Sequence, residues 1–183
     1  LFQRSMIYYP SNESIYHCSH STVVTHGQTR MLQGGKGDTL LIVYHGNAGS
    51  ACDRLLWKHI AEAKNYAYLI PEYAGYGGDD KRPTKEALYH NVRDVVDYVK
   101  QQHYSRIVIA SESIGGAMAA YHTSLMPPER LVMVTPFYSL KRLVAHKMPI
   151  YPTLLVKDDY ELTPLLNGYE GPAVVIHGTH DRV

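Results

Sequence analysis

The chain has 183 residues, of which 45% are hydrophobic, and a formal net charge of +1; this suits one domain, residues 1–183, with its own core. Lys and Arg number 18 against 17 Asp and Glu, with no long basic run, so nothing points to nucleic acid. No apolar window reaches the roughly 18 residues of a membrane span, and Cys18 and Cys52 lack metal-ligand spacing and are expected to be two independent thiols.

In chain order, residues 4–9 and 14–20 are short, partly alternating stretches separated by Pro10-Ser11-Asn12. Residues 22–32 contain His26-Gly27-Gln28, a hairpin turn, and together these stretches predict antiparallel strands at the start of a sheet. Thr39–Tyr44 is a continuous apolar run, as a strand buried on both faces requires. Ser50 is placed to cap a helix running to about Asn65, with Leu55, Leu56, Ile60 and Ala63 at helical spacing. A strand over 66–71 leads into the glycine-rich stretch 72–78, and Thr84 caps a helix over 85–102 with Leu88, Val92, Val95, Val96 and Val99 on one stripe.

The stretch 107–116, IVIASESIGG, organises the rest. A β-branched run stops at Ser111-Glu112-Ser113, two glycines follow, and a helix rich in alanine runs to Leu125. A strand that turns sharply into a helix and presents one serine has the layout of a nucleophile elbow, G-x-S-x-G, with Ser111 in the place of the first glycine. The same layout also serves doubly wound sheets that bind phosphate at a helix N-terminus. Neither G-x-G-x-x-G nor G-x-x-x-x-G-K-[ST] occurs, which makes a phosphate site the weaker reading.

A strand over 131–134 is ended by Pro136, a short helix spans 139–146, and residues 148–171 are irregular and rich in proline and tyrosine. A last apolar strand over 172–176 ends at His177-Gly178-Thr179-His180-Asp181. Strands alternating with helices imply a mainly parallel, doubly wound α/β sheet, antiparallel only at its start. The loops 45–50, 73–79, 111–116 and 177–181 then gather at the carboxyl edge of the sheet, where ligands bind.

With these motifs in order, the chain resembles an α/β-hydrolase, most closely the compact Bem46-like serine hydrolases and their depalmitoylase-related relatives. The resemblance rests on His45-Gly46-Asn47-Ala48-Gly49-Ser50, Tyr73-Ala74-Gly75-Tyr76-Gly77, Ser111-Glu112-Ser113-Ile114-Gly115-Gly116, Thr135-Pro136-Phe137-Tyr138-Ser139-Leu140 and Gly178-Thr179-His180-Asp181, spread over residues 6–183. It implies a serine hydrolase that cleaves a carboxylic ester or thioester through an acyl-enzyme, with a small-molecule or lipid-like acyl substrate and no metal or organic cofactor.

Serine needs a base, an acid that orients the base, and donors aimed at the tetrahedral oxyanion. The resemblance implies Ser113 as the nucleophile, the N–H groups of Ile114 and Asn47 as candidate oxyanion-hole donors, and Asp181 as the candidate acid, in the order this fold uses. His45, Gly46, Tyr73 and Tyr76 are candidates to line the pocket. Asp158 and Asp159 read as solvated or capping residues, and Glu112 is assigned no chemistry.

In this family the base follows the acid, yet all 11 histidines precede Asp181. The final strand and helix of the fold are therefore expected to lie beyond Val183 and to bring the histidine with them. The chain starts at Leu1 and stops just after a strand and a turn, so both ends are expected to be cut. An exposed sheet edge would then invite self-association. No signal-peptide pattern is visible, and the expected location is cytoplasmic or membrane-associated through a segment outside these residues. The alternative is a catalytically inactive α/β-hydrolase domain that binds a ligand or a protein.

Overall fold

The computed structural model describes residues 7–18, 21–147 and 152–179. Its strands are β1 (Tyr9–Pro10), β2 (Thr22–His26), β3 (Thr29–Gly35), β4 (Thr39–Tyr44), β5 (Ala48–Gly49), β6 (Ala67–Pro71), β7 (Arg106–Glu112), β8 (Arg130–Val134) and β9 (Ala173–Ile176). Its helices are α1 (Leu55–Ala63), α2 (Lys85–Lys100), α3 (Gly115–Leu125), α4 (Leu140–Lys147) and α5 (Thr163–Leu166). Seven strands form one sheet in the order β2-β3-β6-β4-β7-β8-β9. The β2–β3 and β3–β6 pairs are antiparallel and the remaining neighbours are parallel. This is the mainly parallel, doubly wound sheet that the alternating pattern predicts, with β2 and β3 as its antiparallel start; β1, from the stretch 4–9 expected among the antiparallel strands, pairs instead in parallel with β5 in a separate two-stranded sheet.

Burial follows from the layering. Every residue of β4 and β6 is buried, because helices cover both faces of the central strands. On one face, Leu88, Val92, Val95, Val96 and Val99 of α2 pack with Ala117, Ala119 and Ala120 of α3 against Leu40, Ile42, Leu69 and Ile109. On the other, Trp57 and Ala61 of α1 meet Leu41, Val43, Tyr68, Ile70 and Ala110. Thr84 caps α2 by accepting from the Ala87 N–H at 3.0 Å. The hairpin turn is held from outside: Asp94 of α2 accepts from Gln28 N at 2.8 Å and Thr29 Oγ1 at 2.7 Å.

Three further expectations are corrected. Residues 15–17 form a 3-10 turn in place of a strand. Ser14 Oγ accepts from Tyr16 N, and Ile15 N donates to Gly77 O at 3.2 Å, so the glycine-rich loop satisfies backbone that a neighbouring strand would otherwise pair. The helix after Ser50 begins as a separate 3-10 turn, Ala51–Arg54, before α1. Those two turns pack side by side and bring Cys18 to Cys52, Cα–Cα 5.3 Å, in a disulfide; the thiols are not independent. A sequence separation of 34 carries no sign of that contact.

The covering is uneven. β9 is the outermost described strand next to β8, and its Val174, Val175 and Ile176 are exposed. Among the described residues no helix is long and apolar enough to cross a membrane.

Candidate active site

Strand β7 runs buried through Ile109, Ala110 and Ser111, and the chain then reverses at Ser113. Ser113 has φ +49°, one of three positive-φ residues other than glycine among the described residues. A serine in the left-handed region stores strain and persists only when its surroundings force it. Here Ser113 N donates to Val134 O at 3.0 Å, and Gly116 N donates back to Ser113 O at 2.9 Å. Gly115 closes the bend: a Cβ there would stand 2.1 Å from the Tyr44 carbonyl oxygen, so no other residue fits without moving β4. Ser111 fills the place of the first glycine because its hydroxyl faces β8, where it reaches Val132 O at 3.4 Å. Ser113 itself is half-buried, and Ile114, which leads into the N-terminus of α3, is buried.

The loop after β4 lies beside this bend. Gly46 faces Glu112: a Cβ on Gly46 would sit 3.6 Å from Glu112 O. The Asn47 side chain is spent on the chain's own polar groups. Its Oδ1 accepts from Tyr9 N at 3.2 Å and from the Tyr76 hydroxyl at 2.9 Å, and its Nδ2 donates to Ile7 O. What Asn47 can offer an oxyanion is its backbone N–H.

A buried carboxylate sets the loop's shape. Glu72 Oε1 accepts from His45 Nε2 at 3.0 Å and from Tyr73 N at 3.3 Å, while Oε2 accepts from Ala51 N at 3.0 Å. His45 Nδ1 lies 2.8 Å from Gly46 O, so both ring nitrogens face oxygen acceptors and the ring is fixed between Gly46 and Glu72. One carboxylate thus holds the first and last residues of the segment 45–51. Tyr73 stacks on His45 at 4.0 Å between centroids and donates its hydroxyl to His45 O at 2.9 Å. Burial pushes the phenols of Tyr73 and Tyr76 well upward, which keeps them protonated donors.

His45, Gly46, Tyr73 and Tyr76 are therefore buried under the loop. The His45 ring and the hydroxyls of Tyr73 and Tyr76 are spent on Gly46, Glu72, the His45 carbonyl and the Asn47 side chain, so these residues shape the loop from beneath. Glu72, which holds this loop, is a residue that the sequence does not single out; a lone carboxylate directly after the apolar strand β6 is its one local signal.

Asp181, the candidate acid, and His180 are outside the described residues. The strand before them is in register with the elbow: Glu112 aligns with Val134 and Val134 with Ile176, so β9 ends on the same edge as Ser113. Asp159 caps α4, accepting from Lys141 N at 3.1 Å, whereas Asp158 is buried instead of solvated. His122 of α3 is buried, accepts from the Tyr44 hydroxyl at 2.7 Å, and its pKa is pushed down to about 3 by that burial. His90 pairs with Asp94 at 3.4 Å. Among the described residues no group of three His, Cys, Asp or Glu side chains is placed to hold a metal ion.

A positive-φ serine between a buried strand and a helix, beside a loop from the neighbouring strand, is the arrangement of one large family, and the profile of the Alpha/beta hydrolase family matches residues 40–180. The chain belongs to the alpha/beta hydrolase family. An uncharacterized protein of Mycobacterium tuberculosis is 29% identical to this hydrolase over 204 residues, covering 99% of the chain and 70% of the relative. A carboxylesterase of Bacillus subtilis is 29% identical over 87 residues, 45% of this chain and 35% of the esterase. Among solved structures, Est1E from Butyrivibrio proteoclasticus with ferulic acid bound superposes with TM-score 0.69 at 15% identity, over 88% of this hydrolase and 80% of Est1E, a likeness of fold.

Proposed function

We propose that this hydrolase is a serine esterase or thioesterase, of the compact Bem46-like kind, acting on a small-molecule or lipid-like acyl group. Ser113 Oγ attacks the acyl carbonyl, and the oxyanion takes hydrogen bonds from the backbone N–H groups of Ile114 and Asn47. Collapse expels the alcohol or thiol and leaves an acyl-serine, which water then cleaves to the free acid. The proton of Ser113 passes to a histidine base and returns to the leaving group. Asp181 orients that histidine. The observation that carries this reading is the Ser113 backbone at φ +49°, with Gly115 against the Tyr44 carbonyl. The carboxylesterase of Bacillus subtilis supports the ester class.

A second reading, a binding domain without catalysis, draws on the histidines: His45 is committed to Glu72 and His122 to Tyr44. Hydrolysis of p-nitrophenyl butyrate and of an acyl-thioester by the full-length protein separates the two. The expected result is turnover that falls about a million-fold, to background, in Ser113→Ala; no turnover of any ester or thioester favours the binding domain. The Cys18–Cys52 bond favours an oxidising compartment, where disulfides persist, over the reducing cytosol.

A further inference from the structure

The two oxyanion donors come from separate segments, and catalysis depends on their spacing. Asn47 belongs to the loop after β4 and Ile114 to the turn after β7, and preorganised donors lose their effect when they shift by about 1 Å. One side chain spans the two segments. Arg54, at the end of the 3-10 turn that follows the loop, sets its Nε 2.7 Å from Glu112 Oε2 and donates from Nη2 to Ala48 O at 3.1 Å. Glu112 is next to Ser113, and Ala48 is next to Asn47. The other carboxylate oxygen of Glu112 accepts from Trp57 Nε1 at 2.6 Å, which fixes its rotamer from α1. The loop backbone rests directly on this bridge: a Cβ on Gly46 would lie 3.5 Å from Arg54 Nη2. The Arg54 and Glu112 side chains are only 18% and 26% exposed, so water competes weakly for them.

We propose that Arg54 is a positioning residue which, through Glu112 and the Ala48 carbonyl, sets the distance between the Asn47 and Ile114 N–H groups. It touches neither substrate nor reacting atoms. A surface ion pair holding α1 to the sheet would share some of these contacts, yet it would have no reason to reach the loop carbonyl. The proposal rests on the serine-hydrolase reading of Ser113.

The test uses the full-length protein, with p-nitrophenyl butyrate as substrate and an alkylboronic acid as mimic of the tetrahedral oxyanion. Arg54→Met is expected to lower kcat on the order of 10- to 100-fold with KM within about twofold, and to weaken the boronic acid by the same factor. Arg54→Lys, which keeps charge but loses the second arm, should recover part of both. Glu112→Gln, which keeps the shape, is read in the same way if Arg54→Met does not fold, and the double variant should be little worse than the single ones. Parent-like kcat and boronic acid inhibition in the variants overturn the proposal. So does a fall in kcat with boronic acid affinity unchanged. If Ser113→Ala retains hydrolysis, the serine reading itself falls and takes this proposal with it.

Discussion

The corner between β4 and β7 and the outer strand β9 lie on one sheet, yet they are built in opposite ways. At the corner, polar groups around the bend are held inside the fold: Glu72 with His45 and Ala51, the Asn47 side chain with Tyr9 and Tyr76, and Ser113 N with Val134 O. At β9, the backbone pairs with β8 while Val174, Val175 and Ile176 face solvent at 46–60% exposure. The proposed nucleophile and oxyanion donors therefore belong to a corner that braces itself, whereas β9, the strand that precedes the proposed acid in sequence, is the least covered described strand.

Breaking the second region at its functional end should give the largest effect. Asp181→Asn is expected to lower kcat of the full-length protein by about 10^4-fold while leaving the melting temperature unmoved, by analogy with loss of the orienting acid in a serine protease. Steady-state kinetics with a parallel melt check this.

Breaking the brace of the first region comes next. Glu72→Ala removes the buried acceptor shared by His45, Tyr73 N and Ala51 N, which should cost about 1–3 kcal/mol for each donor left unpaired, read in urea unfolding. A cost as small as that of a surface pair would mean that the corner is not braced through this carboxylate.

A smaller effect sharpens the comparison through pH. Burial holds the His122 pKa down to about 3, whereas in the unfolded chain histidine takes a proton near pH 6.5. The unfolded state thus binds more protons between those values, so stability is whole above about pH 6.5 and is lost as pH falls toward 3. In His122→Gln, urea unfolding at pH 6, 5 and 4 should show a shallower decline, by up to about 1.4 kcal/mol per pH unit.

The smallest change tests the exposed strand. Val175→Lys on β9 should alter stability by no more than about 0.5 kcal/mol, because the side chain is 60% exposed. If the exposed strand draws a second copy, sedimentation will show less self-association in the variant. A large loss of stability would mean that β9 is covered by further chain.

The sequence carried the corner's skeleton but little of its bracing. Thr39–Tyr44 and the strand into Ser111 are legible because continuous apolar runs demand two covered faces. Ser113 with Gly115 is legible because few residues fit a bend where a Cβ meets a carbonyl at 2.1 Å. Residues 14–18 mislead because a short alternating stretch is compatible with either a strand or a capped turn, and the deciding partner, Gly77, is far away in sequence; residues 19–20 of the expected strand lie outside the described residues. The Cys18–Cys52 bond, the reach of Glu72 to Ala51 and that of Arg54 to Ala48 and Glu112 depend on how separate turns dock. No local pattern encodes that docking. Asn47 shows the division within one residue: the motif points to its N–H, and only the fold shows its side chain bound to Tyr9, Tyr76 and Ile7.

The most direct measurement is intact-mass and peptide mapping of the full-length protein after treatment with a fluorophosphonate, whose phosphorus the serine oxygen attacks with loss of fluoride. The account predicts one adduct per chain, carried by the peptide that contains Ser113 and absent from Ser113→Ala. A protein that hydrolyses esters yet takes no adduct, or takes it on another residue, contradicts it.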